Sequence, residues 1–129
     1  DKADAMMNRL RALPALGCTT IPETPDAPRS DCHAWGAIAI YEFAAAILGV
    51  RTVDAAKKRI LIAPRIDGRD HARGTVYTGI GKVFVEWTKK NGTFTLHVHA
   101  DGEGEKEICL PDGLSFVSLE DDITCTCAI

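Results

Sequence analysis

Lys82-Val83-Phe84-Val85-Glu86-Trp87-Thr88, then Lys89-Lys90-Asn91-Gly92, then Thr93-Phe94-Thr95-Leu96-His97-Val98-His99, is the stretch that decides how the second half of this 129-residue chain folds. Val83, Val85 and Trp87 share one face of the first run, and Phe94, Leu96 and Val98 share one face of the second. That is the period-two pattern of strands with one side buried. Asn-Gly between two such runs marks a tight hairpin, because both central turn residues need positive φ. His97 and His99 fall together on the opposite face. A pair of imidazoles there could hold a metal, but a solvated outer face is the ordinary expectation.

Working outward, Ile60-Leu61-Ile62, stopped by Pro64, reads as a short strand, and Thr75–Thr78 as another. Asp101-Gly102 and Pro111-Asp112-Gly113 mark turns around a strand at Glu107–Leu110, and Ile123–Ile129 closes the set. Six or so short strands with no helix between them predict a small antiparallel β-sandwich over residues 56–129. Cys125 and Cys127, two apart on the last strand, point to one face, where they read as ordinary strand residues rather than metal or redox ligands. Gly79 and Gly81 lack the strand-before, helix-after setting of a phosphate cradle.

The first half has another period. Residues 3–13 predict a helix with Met6, Leu10 and Leu13 on one side, ended by Pro14. Residues 17–31 carry prolines 22, 25 and 28 and predict a stiff, extended loop. Ser30 or Asp31 is placed to cap a following helix, from about Ala34 to Leu48, which Gly49 ends. That helix carries one charge, Glu42, and is otherwise apolar on every side, so it expects to be surrounded by more protein than this chain supplies. The fold class expected is α+β: remnant helices of a larger helical domain over 1–55, then the sandwich.

Composition narrows the function classes. Residues 1–55 hold five basic and seven acidic side chains, and residues 56–129 hold ten and eleven. Neither half has the basic excess that binding of nucleic-acid phosphates requires. No run reaches the ~18 apolar residues of a membrane span, so neither nucleic acid nor membrane is expected as a partner. The start of the chain lacks the layout of a signal peptide and an initiator Met, as expected of a piece of a longer product. Five cysteines without a small-scaffold spacing predict free thiols, and with them a reducing, cytoplasmic setting. No cofactor or metal is implied.

Candidate site residues cluster before the apolar helix. On residue type alone Glu23 is a solvated loop glutamate. His33 is a helix-start histidine bonded to a backbone carbonyl, Asp31 a cap, and Trp35 a core filler, as tryptophan on an apolar helix usually is. Cys32 beside His33 lacks the third orienting group of a thiolate nucleophile.

Thr19-Thr20, Glu23-Thr24, Ser30-Asp31-Cys32-His33-Ala34-Trp35, Tyr41-Glu42 and Leu48-Gly49-Val50 together resemble the C-terminal end of the catalytic domain of bacterial α-L-rhamnosidases. Ile60-Leu61-Ile62-Ala63-Pro64, Ala72-Arg73-Gly74-Thr75-Val76 and Gly81-Lys82-Val83 up to Trp87 resemble that family's C-terminal β-sandwich. The resemblance spans roughly residues 15–111, with Pro22 standing where many relatives carry tryptophan. It implies the last helices of an (α/α) toroidal barrel followed by the sandwich, in an inverting glycoside hydrolase that removes terminal α-L-rhamnosyl units from glycosides or polysaccharides. By position in the motif it implies Glu23 as general base and His33 as a sugar contact, with Trp35 available to pack on sugar C–H faces. The general acid would lie in sequence upstream, so the fragment alone is expected to be inactive and, with its apolar helix uncovered, able to self-associate. The alternative is a non-catalytic carbohydrate-binding or scaffolding sandwich. Against it, the aromatics of the hairpin, Trp87 and Phe94, fall on the inner faces.

Overall fold

The structure, a computed structural model, describes residues 2–24 and 30–129. The tip of the proline-rich loop, 25–29, lies outside the described residues, and with it the expected stiffening by Pro25 and Pro28. Two compact units divide the chain, Asp1–Phe43 and Ala44–Ile129.

In the first unit, α1 spans Lys2–Ala12 and tightens into a 3₁₀ turn, Leu13–Leu16, with Pro14 in its first turn. Proline lacks an N–H that this position would leave unused, so the chain turns once more before stopping. Gly17 ends it in the left-handed conformation (φ 80°), its N–H donating to the Pro14 carbonyl at 3.0 Å. The second helical stretch begins at Ala34, as expected, but is not one regular helix. A 3₁₀ turn at Ala34–Ala37 leads into α2, Ile38–Phe43. Neither Ser30 nor Asp31 caps it. The cap position is His33, extended at φ −113° and ψ 105°, and makes no side-chain cap bond. The Ser30 hydroxyl instead donates to the Cys32 carbonyl at 3.1 Å. The His33 N–H is already committed to the Ile21 carbonyl (2.8 Å), which holds the chain extended until that point.

The second unit opens with a wide helical turn of π type, Ala44–Leu48. Eight strands follow: β1 Val50–Asp54, β2 Arg59–Ile62, β3 His71–Thr78, β4 Gly81–Lys90, β5 Thr93–Ala100, β6 Glu105–Cys109, β7 Ser115–Ser118 and β8 Asp122–Ala128. They form two four-stranded sheets, ordered β1-β2-β6-β7 and β3-β4-β5-β8. The expected hairpin is β4–β5, with Asn91 and Gly92 at φ 52° and 72°. Val83, Val85, Trp87, Phe94, Leu96 and Val98 are fully buried and meet Ile60, Ile62 and Ile108 of the other sheet in one core. This is the sandwich that the alternation predicts.

Two features differ from expectation. β1 and β7 lie beyond the six strands that the sequence predicts: Val50-Arg51-Thr52-Val53 does not alternate apolar with polar residues, and Ser-Phe-Val-Ser offers only two apolar residues. Edge strands need no strict alternation. One pairing, β2 with β6, is parallel rather than antiparallel. A parallel pair needs a long crossover, and here the crossover contains β3, β4 and β5 of the opposite sheet.

Several contacts fasten the π turn to the sandwich, among them the Arg65 N–H donating to the Ala46 carbonyl at 3.0 Å. The buried Trp87 indole N–H donates to the Ile47 carbonyl at 2.8 Å, giving the ring's polar end a partner. Leu48 lies against Gly74, where an added Cβ would meet its Cδ1 at 2.8 Å. Gly49, as expected, is left-handed at φ 78°, and a Cβ there would overlap the Ala63 carbonyl carbon and the Pro64 nitrogen. Its carbonyl accepts the Ala63 N–H at 3.0 Å. Backbones this close admit only glycine.

Candidate functional site

Glu23 sits on one side of a loop neck that backbone bonds draw shut. The His33 N–H donates to the Ile21 carbonyl at 2.8 Å, and the Glu23 N–H donates to the Ser30 carbonyl at 3.0 Å. The Thr20 hydroxyl donates to the Asp31 carbonyl. Residues 20–23 and 30–33 are thereby tied side by side, which fixes the backbone of both Glu23 and His33. Pro22, buried, locks the φ angle just before Glu23.

Gly36 brings the helical turn onto this neck. A Cβ at that position would meet Ile21 Cγ2 at 2.5 Å and the Pro22 carbonyl oxygen at 3.2 Å. The 3₁₀ turn can therefore lie against Ile21-Pro22 only because residue 36 has no side chain.

Glu23 is half-buried and lines a cavity of about 190 Å³ with Arg9, Leu13, Pro22, Gly36 and Ala39 among its walls. Met6, Leu10 and Leu13 all face it, the side of α1 that the periodicity marked out. Arg9 is a residue the sequence reading missed. Four positions before Leu13, it lies on the same helix face, and that spacing was the available signal.

His33 and Trp35 do not line this cavity. His33 is half-buried, held by its backbone N–H and by its carbonyl, which accepts the Gly36 N–H at 2.9 Å. Trp35 is 78% exposed and fills no core, contrary to the bland expectation for it; the 3₁₀ turn presents it outward. Ile38, Ile40 and Tyr41 are exposed as well, at 57–58%. Cys32 is an exposed free thiol.

In the sandwich, His97 and His99 occupy the outer face, as expected. Asp122 bridges them, Oδ1 to His97 Nδ1 at 3.5 Å and Oδ2 to His99 Nδ1 at 3.4 Å, and Asp101 meets His99 Nε2 at 3.4 Å. Among the described residues no group of His, Cys, Asp and Glu is arranged to hold a metal ion. Tyr77, 78% exposed on β3, was also missed. All five cysteines are free. Burial, helped by the neighbouring Cys127, pushes the Cys125 thiol above its ordinary value. No helix among the described residues is long and apolar enough to cross a membrane.

Residues 49–117 match the family described as the bacterial alpha-L-rhamnosidase C-terminal domain. No curated protein sequence matches the chain. Among solved structures it is similar to the α-L-rhamnosidase of Aspergillus terreus, at 16% identity and TM-score 0.71 over 91% of this chain. It is also similar to a Streptomyces avermitilis α-L-rhamnosidase complexed with L-rhamnose, at 20% identity and TM-score 0.64 over 81% of the chain. A third is the α-L-rhamnosidase of Dictyoglumus thermophilum, at 22% identity and TM-score 0.59 over 77%. The chain spans 16%, 12% and 12% of those three proteins respectively. At these identities the likeness is one of fold. The family match covers more than half of the sequence, and the chain belongs to the family of bacterial α-L-rhamnosidase C-terminal domains.

Proposed function

We propose that this chain is the C-terminal portion of a glycoside hydrolase that removes terminal α-L-rhamnosyl units with inversion. The observation that carries this is the match of residues 49–117 to the rhamnosidase C-terminal family. Residues 1–43 are then the last helices of the (α/α) barrel, and residues 44–129, which include β1 and so begin earlier than the expected boundary at residue 56, the appended sandwich. The exposure of Trp35, Ile38, Ile40 and Tyr41 supports this, because apolar side chains gathered on one helical stretch call for a cover. The preceding part of the longer enzyme is the cover proposed. Without it, these side chains would drive self-association and take up an apolar dye.

Glu23 is the general base in this scheme. Inverting hydrolysis needs two carboxyl groups about 6.5–9.5 Å apart. The acid, outside this chain, gives its proton to the leaving oxygen. Glu23 takes a proton from water as that water's oxygen forms its bond to the anomeric carbon on the opposite face. The glycosidic bond breaks in the same step, and the anomeric configuration inverts. Its fixed backbone suits that task, since a base must hold its water in line. His33, tied into the same neck, and the outward Trp35 are the proposed sugar contacts. With the acid elsewhere, the fragment alone is inactive.

The test is Glu23→Gln in the full-length enzyme, assayed on an aryl α-L-rhamnoside. Loss of kcat by about 10²–10⁴-fold is the expected size of a general-base contribution, with the β-anomer of rhamnose as first product from the unmodified enzyme. An unchanged kcat removes the base assignment, and a first product of α configuration removes inversion. The carbohydrate-binding alternative has one observation in its favour: Tyr77 is exposed on a sheet face that also carries His97 and His99. Rhamnoside binding by the chain that Tyr77→Ala abolishes would favour it.

A further inference from the structure

We propose that the free edge of β7 is a docking strand for an extended segment of a separate polypeptide, apolar in its middle and basic at its ends. β7 ends its sheet, so among the described residues no strand neighbours one side of its backbone. Such edges are normally guarded by charge, proline or a bulge. The other three edge strands follow that rule. β1 carries Arg51 and Asp54 and a break in register between Thr52 and Asp54; β3 carries exposed His71 and Arg73; β8 begins with Asp122. β7 has none of these. Leu114-Ser115-Phe116-Val117-Ser118-Leu119 is uncharged, and its four apolar side chains are exposed at 62%, 39%, 53% and 72%.

Charge selects the occupant. Asp112 and Glu120 flank the strand, with no Lys, Arg or His between residues 112 and 122; Asp121 and Asp122 follow, the first meeting Lys106 Nζ and the second lying between His97 and His99. A second copy pairing antiparallel about Phe116 would set Asp112 against Glu120 at both ends. Pairing about Val117 would set Asp112 against Asp122. Either repels. A strand with lysine or arginine at its ends meets the acids favourably, while its backbone completes the sheet and its apolar residues cover Phe116 and Val117. The inference does not depend on the role of Glu23.

The test is titration of the chain with a labelled synthetic peptide of alternating valine and threonine bearing two lysines at each end, beside the same peptide with glutamates in their place. The lysine peptide is expected to bind about tenfold or more tighter, with the gap closing as salt is added. Its binding should slow amide hydrogen exchange at residues 115–118 and leave β1, β3 and β8 unchanged. Val117→Lys, at an exposed position, should weaken it at least about tenfold without moving the unfolding midpoint. Absence of binding, equal binding of the two peptides, or protection at another edge would overturn the proposal. So would concentration-dependent self-association abolished by Val117→Lys, which would give the edge to a second copy.

Discussion

Gly36→Ala tests whether the neck aims Glu23. The added methyl would lie 2.5 Å from Ile21 Cγ2 and 3.2 Å from the Pro22 carbonyl oxygen. Carbon atoms rest about 3.5–4.0 Å apart, so the Ile21-Pro22 segment must move by roughly 1–1.5 Å. Isoleucine, branched at Cβ, has little freedom to swing away, and Pro22 passes the shift directly to residue 23. A displacement of ~1 Å at a group that must hold a nucleophile in line costs on the order of 10²-fold in rate, which is about 2.7 kcal/mol of barrier. Overpacking of this kind costs about 1–3 kcal/mol of local stability, too little to unfold a large enzyme. The assay is kcat on an aryl α-L-rhamnoside in the full-length protein, with Gly79→Ala as control, because a Cβ at Gly79 meets nothing within 4 Å. The expected result is a kcat lowered by about 10²-fold for Gly36→Ala and unchanged for Gly79→Ala. If Gly36→Ala keeps kcat within about twofold while Glu23→Gln loses it, the neck does not position the carboxylate and the reasoning fails.

Gly49→Ala adds a methyl at a left-handed position, onto the Ala63 carbonyl carbon and Pro64 nitrogen, and should cost more than about 3 kcal/mol; a urea midpoint near wild type would contradict it. Lys106 is fully buried, its Nζ reaching the Gly104 and Leu119 carbonyls at 3.2 and 3.4 Å and Asp121, itself mostly exposed, at 3.5 Å. Lys106→Ala removes three buried methylenes and should cost about 3 kcal/mol, whereas Lys106→Met keeps the stem, sheds a desolvated charge and should stay within about 1 kcal/mol by urea unfolding; equal losses would mean the ammonium rather than the stem holds the strand. The Cys125 thiol is raised above its ordinary value by burial first and Cys127 second, so its stabilisation is full below the unfolded pKa and lost as pH climbs through the higher folded one. Stability of the sandwich should therefore fall on the alkaline side and fall less in Cys125→Ala, and iodoacetamide should modify exposed Cys32 well before Cys125; simultaneous modification would count against burial as the cause.

What the sequence made legible follows from how many neighbours fix each residue. Val83, Val85 and Trp87 must all point inward or none can, so a one-residue error would expose the whole set; alternation of that kind is readable without a partner in view. Asn91 and Gly92 are legible for the same reason, since few residues tolerate their φ angles. β1 and β7 escaped because an edge strand is constrained on one side only, and the parallel partner of β2 lies more than forty residues along the chain, beyond any local pattern. The site divides on the same line. Gly49 and the stripe Met6, Leu10, Leu13 are local signals and were read from them. Arg9 facing the Glu23 cavity, and the bond of the His33 N–H to the Ile21 carbonyl that displaced the expected cap, join segments that no period connects. The apolar surface around Trp35 is the instructive case. A helix apolar on every side carries information about neighbours it does not name, and the exposure of Trp35 at 78% is the same statement made in coordinates. Under the proposed function, Trp35→Ala should therefore weaken assembly with whatever covers that surface before it alters the sandwich, whose buried core of strand residues, closed by Leu48, does not include Trp35.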